Sequence, residues 1–133
     1  MSTISHIDHI AIAVVSINAV RDFYEQALGL NISHIEEMPE RGIRTAFIKL
    51  GSSMIELIEP LHEHSEISKF LHERGPGLHH LALHANDIAN TEATLKQHQG
   101  KLIYDQARPG AHHTRVNFIH PKSSGGVLVE LVS

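Results

Sequence analysis

Two short stretches of the chain share one hydrophobic rhythm. Asp8-His9-Ile10-Ala11-Ile12-Ala13-Val14 and His79-His80-Leu81-Ala82-Leu83-His84-Ala85 each set a histidine before branched and small apolar residues in alternation. A period of two places every other side chain on one face and reads as a strand. A helical pattern follows each stretch. After the first, Ile17, Val20, Tyr24, Ala27 and Leu28 fall on one helical face, with Ser16 or Asn18 placed to cap it and Gly29 to end it. After the second, Asp87 is the expected N-cap, Ile88 and Leu95 are the apolar positions, and Gly100 is the stop. Short strands are then expected at about 31–37, 43–50 and 53–59, and again at about 101–105, 114–120 and 126–132. Gly42, Gly51-Ser52 and Ser123-Ser124-Gly125-Gly126 mark the turns.

The chain therefore reads as one β-α-β-β-β unit written twice. The first module covers about 5–60, a linker about 61–76, and the second module about 77–133. The linker carries a short helix near 67–74 and ends in Gly75-Pro76-Gly77. One module is too small to bury its own sheet. The expected fold is a single α+β domain over 1–133, in which two tandem βαβββ modules form a curved mixed sheet around a metal site with the helices outside.

Composition narrows the chemistry. The 133 residues include no cysteine, so a disulfide framework and thiolate zinc sites are excluded. Any metal must be held by imidazole and carboxylate. A net charge of −4 with scattered Lys and Arg argues against nucleic-acid binding. No apolar run approaches the roughly 20 residues of a membrane span, and the Met-Ser-Thr start has no targeting character. A cytoplasmic location without membrane contact is the expectation. Histidine is the outlier, at 13 residues. His62, His64, His72 and His98 lie in polar or helical contexts and read as solvated.

The last strand of each module also matches: Met54-Ile55-Glu56-Leu57-Ile58 and Leu128-Val129-Glu130-Leu131-Val132. Each holds one carboxylate among apolar residues on both faces, which marks a central strand with little water nearby. An ionised carboxylate there is costly unless paired or bound to a cation. No Lys or Arg stands at a matching position. His9 precedes Glu56 by 47 positions and His80 precedes Glu130 by 50, so the four residues stand at equivalent places in the two modules. Two imidazoles and two carboxylates would neutralise and hold one divalent ion, with Co, Mn, Zn or Ni as candidates. Small residues beside each histidine, Ala11 and Ala13 with His9 and Ala82 with His80, leave room for a cavity. Ile10, Ile12 and Val14 would face the helix layer.

This duplication, with His on the first strand and Glu on the last, resembles the vicinal oxygen chelate superfamily. Phe23-Tyr24 with Leu28-Gly29-Leu30 adds to the match. Within it the chain is most similar to the methylmalonyl-CoA epimerase family, through Ile55-Glu56-Leu57-Ile58-Glu59-Pro60-Leu61, Gly77-Leu78-His79-His80-Leu81-Ala82, Phe118-Ile119-His120-Pro121-Lys122-Ser123 and Gly125-Gly126-Val127-Leu128-Val129-Glu130-Leu131. The resemblance implies a metal held by His9, Glu56, His80 and Glu130, an acyl-CoA substrate and a homodimer. It implies an isomerase that removes and returns the C2 proton of the substrate through a metal-stabilised enolate.

Glu130 is the first proton-transfer residue that the resemblance implies. Some family members carry the second as a Glu on the strand at 43–50, where this chain has Thr45, so Glu56, the mate of Glu130 in the repeat, takes that role as a hypothesis. His120 and Lys122 are candidates for the substrate carboxylate or a CoA phosphate, and Arg108, His112, His113 and Arg115 lie in a polar loop toward the same end. Two rivals share the fold: glyoxalase I, whose metal site uses the same residue types, and a metal-free small-molecule binding protein.

Overall fold

The computed structural model describes residues 3–133. Met1 and Ser2, part of the segment searched for a targeting signal, lie outside them. The elements are β1 (Ile4–Ala13), α1 (Ile17–Asp22), β2 (Ile32–Met38), β3 (Ile43–Leu50), β4 (Ser53–Pro60), α2 (Glu66–Arg74), β5 (Gly77–Ala85), α3 (Ile88–Gln97), β6 (Arg108–Pro109), β7 (Arg115–Ile119) and β8 (Val129–Val132). Among the described residues the strands pair in the order β2-β3-β4-β1-β5-β8-β7-β6. The order is that of an α+β protein with a mixed sheet. The chain divides into two compact units, one of Ile10–His79 and the other of Met1–His9 with His80–Ser133. Strand β1 belongs to both. No helix is long and apolar enough to cross a membrane among the described residues.

In the unit of Ile10–His79, β2, β3 and β4 form an antiparallel meander. Its β3–β4 turn closes between Leu50 and Ser53. The alternation of the sequence sorts side chains between two helices. Val14, Ile32, Ala46, Ile48 and Leu57 pack against Ile17, Val20 and Tyr24 beneath α1. Ala11, Ala13, Ile43 and Ile58 pack against Ile67, Phe70 and Leu71 of α2. Ile12 packs with the α1 side as expected, while Ile10 is largely exposed.

The first helix differs from its prediction. Ser16 caps it, accepting the Ala19 N–H at 3.3 Å, but the α-helix stops at Asp22 and one π turn, Phe23–Ala27, comes next. Leu28 N–H donates to the Phe23 carbonyl at 3.0 Å, a five-residue spacing. The extra residue in the turn rotates the end of the helical segment, so Tyr24 still packs on the core while Leu28 stands exposed.

In the other unit, β5 and β8 run parallel and β7 is antiparallel to β8. Ile88 and Leu95 of α3 cover Ala85, Ile119, Val129 and Leu131. Asp87 caps α3 by accepting the Asn90 N–H at 3.1 Å. The left-handed residue at its end is Gln99 (φ 63°). Gly100 serves by size: a Cβ there would lie 3.1 Å from the Leu95 carbonyl oxygen, to which the Gly100 N–H donates at 2.7 Å.

The strand expected at 101–105 is also different. Only Leu102 bridges Ile119, and the paired segment β6 comes later, at Arg108–Pro109. Asn117 is the cause. Its fully buried side chain accepts the Tyr104 N–H at 3.2 Å and donates to the Tyr104 carbonyl at 3.2 Å. The Ile103 N–H still donates to the Phe118 carbonyl at 2.8 Å, but the Phe118 N–H, which a continued ladder would send back to Ile103, donates to Asn117 Oδ1 at 2.7 Å. The Asn117 amide also donates to the buried Glu92 carboxylate on α3.

Candidate metal centre

The site begins with a slip in the alternation of β1. Ile4, His6 and Asp8 are half-buried while Ser5 and Ile7 are exposed; then His9, Ala11 and Ala13 are buried. The phase shifts by one between Asp8 and His9, the pattern that a β-bulge produces. At that change of phase the two neighbouring side chains meet: Asp8 Oδ2 lies 2.7 Å from His9 Nδ1.

His80 of β5 and Glu130 of β8 complete a buried trio with His9. The parallel register sets Ala82 beside Glu130, so Glu130 shares the face of His80. His9 Nε2 and His80 Nε2 lie 3.3 Å apart. Glu130 Oε1 is 3.1 Å from the first and 3.0 Å from the second. Phe118, opposite Glu130 on β7, sets its ring edge-on to His80 at 5.9 Å.

The donor chemistry of this trio fits a cation. The Asp8 carboxylate can only accept, so the shared proton belongs to His9 Nδ1; Nε2 then meets Glu130 as an N–H donor in the metal-free imidazolium, and as a lone pair once that proton is lost. A lone pair facing a carboxylate oxygen at 3.1 Å requires a proton or a metal between them. Burial raises the proton affinity of the Glu130 carboxyl. N–H bonds from His80 and His9, with their charge, outweigh it and hold the group at about 2. Glu130 is therefore ionised at neutral pH, as a ligand must be.

Glu56 lies in the other unit, buried on β4. It stands opposite Phe47 of β3, and two residues on Ile58 stands opposite Thr45. Glu56, Ile58, Thr45 and Phe47 thus share one face. Thr45 is 1% exposed and its Oγ1 has no hydrogen-bond partner among the described residues.

The substrate-contact candidates have local partners. His120 Nδ1 accepts the Lys122 N–H at 3.0 Å and so caps the short turn Pro121–Ser123. Lys122 is exposed in that turn. The Arg108 guanidinium stacks 3.9 Å over the Tyr104 ring. Arg115 donates to the Ala107 carbonyl at 2.5 Å. His112 and His113 form a tight turn with φ of 55° and 62°. His62, His64, His72 and His98 are exposed, as expected. Asp8 is the site residue that pattern reading missed. Its signal was the Asp-His pair itself, hidden because strict alternation separates the two side chains.

The sequence profile of the Glyoxalase/Bleomycin resistance protein/Dioxygenase superfamily matches residues 8–118. The chain belongs to that superfamily. Within it, a mitochondrial methylmalonyl-CoA epimerase of Mus musculus is 36% identical over 129 residues, covering 96% of this chain and 72% of the mouse protein. The crystal structure of a methylmalonyl-CoA epimerase from Mycobacterium tuberculosis superposes with a TM-score of 0.91 at 39% identity, covering 99% of this chain and 89% of that one. A methylmalonyl-CoA epimerase variant of Streptomyces coelicolor, in complex with 2-nitronate-propionyl-CoA, superposes at 0.90 with 36% identity, covering 97% of this chain and 94% of that one.

Proposed function

We propose that this chain is a metal-dependent methylmalonyl-CoA epimerase. The convergence of His9, His80 and Glu130 carries the reading, in a chain whose epimerase relatives match along nearly its whole length. The proposed ligands are these three residues with Glu56 as the fourth, suggested by its place in the repeat and its burial on β4. A divalent ion held there, Co, Mn, Zn or Ni, would supply Lewis-acid stabilisation of negative charge developing on the substrate thioester oxygen.

The chain's own groups account for the remainder. Asp8 fixes the His9 ring and its tautomer. Alternation of apolar residues around Glu56 and Glu130 keeps water from the reacting carbon. Epimerisation breaks the C2–H bond, moves its electron pair toward the thioester oxygen, and re-forms C2–H from the opposite face. Glu130 and Glu56 are the proposed acceptor and donor, exchanging roles with direction. A carboxylate that ligates a cation is a weak base, so Glu130 would have to loosen from the metal, or be only weakly bound, before it takes a proton. Thr45 cannot serve as the second base.

The test is proton exchange at C2. One epimer of methylmalonyl-CoA is incubated with the Co-loaded protein in D2O, and deuterium uptake and configuration are followed together. Uptake with inversion is expected; no uptake with metal bound rejects the reading. A cytoplasmic homodimer is the accompanying proposal, and a monomeric mass by light scattering would overturn its oligomeric part.

A further inference from the structure

Three more ligand-type side chains gather beside the trio, and the proposed reaction uses none of them at the reacting carbon. His6 and Asp8 of β1 and His84 of β5 are half-buried, and their ligand atoms lie within 4.8 Å of one another. Regular alternation puts His6 and Asp8 on one side of β1, and His84 shares the β5 face of His80 and Ala82. The imidazoles of His6 and His84 stack, with centroids 4.9 Å apart and planes 16° from parallel. Ser5 Oγ lies 2.8 Å from His6 Nδ1 and orients that ring. Asp8 divides its carboxylate: Oδ2 holds His9 Nδ1 at 2.7 Å, while Oδ1 lies 4.0 Å from His84 Nδ1.

We propose that His6, Asp8 and His84 form a second, weaker site for a divalent transition ion, coupled to the first through Asp8. Two imidazoles and one carboxylate suit Zn, Co, Ni or Cu and disfavour Mg or Ca, which take oxygen ligands. The site is weaker for two reasons. Its ligand atoms must close in from separations of up to 4.8 Å, which disturbs the present stack of His6 on His84. Its half-buried position leaves coordination to water. The coupling arises from the shared carboxylate. A cation on Oδ1 draws charge from Oδ2 and weakens the acceptor that orients His9. Excess metal should therefore lower turnover; that consequence, unlike the site itself, rests on the epimerase reading.

The experiment is calorimetric titration of the metal-free full chain with Zn, with no substrate present. Two equivalents are expected, the second weaker. A His6→Ala/His84→Ala double variant should retain the tight equivalent and lose the weak one. The single His84→Gln variant, which preserves side-chain bulk, should weaken the second equivalent by about tenfold. A His62→Ala/His64→Ala variant removes an exposed histidine pair elsewhere and should retain both equivalents. A single equivalent in the parent protein overturns the proposal. So does a weak equivalent that survives the His6/His84 changes or vanishes with His62 and His64. Stoichiometry is read without turnover, so a failed epimerase assay leaves this result standing.

Discussion

Asp8 and His9 are sequence neighbours whose side chains meet, Oδ2 to Nδ1 at 2.7 Å, where the burial alternation of the strand changes phase. The contact fixes which nitrogen of His9 is free to bind a cation. Asp8→Ala should lower metal affinity about 10- to 100-fold, the usual effect of losing a carboxylate that orients a ligating histidine. Competition with a chromophoric chelator measures it. Unchanged affinity would mean that the pair does not orient the site.

Glu130 predicts the acid behaviour of the metal-free protein. Its carboxyl is depressed from 4.5 to about 2 in the folded state. A depressed carboxyl stabilises the fold above its unfolded value and loses that contribution as pH falls through the folded value. Stability to urea should therefore decline between about pH 4.5 and 2. In Glu130→Gln that part of the decline should flatten. An equally steep profile in the variant would assign the acid loss to other groups.

Thr45 holds a buried hydroxyl with nothing to bond among the described residues. Thr45→Val replaces it with a methyl of similar size and should raise unfolding free energy by about 1 kcal/mol. If the hydroxyl awaits substrate, the same change raises KM while the protein becomes more stable. Destabilisation by the valine would show that the hydroxyl is bonded to water in solution.

Asn117 interrupts the β-ladder, holds the backbone of Tyr104 and also satisfies the buried Glu92. Asn117→Ala removes these bonds together and strands a buried carboxylate. A loss of about 3 kcal/mol is expected from urea unfolding. Asn117→Ala combined with Glu92→Leu should recover part of it, since the stranded charge is then gone. No recovery would place the cost wholly in the Tyr104 contacts.

Much of the fold was legible because period-two alternation and turn residues recur in both halves of the chain. The approach of His9, His80 and Glu130 to one another came from the same repeat. What escaped were departures of a single residue. The π turn at Phe23–Ala27 inserts one residue into a helical pattern that otherwise scores well, and exposes Leu28. The burial phase of β1 changes between Asp8 and His9, so period counting separates two side chains that meet. The segment at 101–105 has the apolar content of a strand, yet the Asn117 side chain claims the backbone of Tyr104 and the Phe118 N–H that would pair with Ile103. Local pattern carries no trace of a competitor 13 residues away.

The division of β1 has a consequence for how the protein is made. Residues 10–79 form a unit contiguous in sequence, so it can close while the rest of the chain is still being synthesised. Residues 4–9 belong with residues 80–133, whose last strand is Val129–Val132. His9 thus emerges from the ribosome 121 residues before Glu130, the carboxylate it meets. The proposed metal centre is an assembly checkpoint: it forms only after residues 10–79 have been made and the strand of Glu130 has followed them.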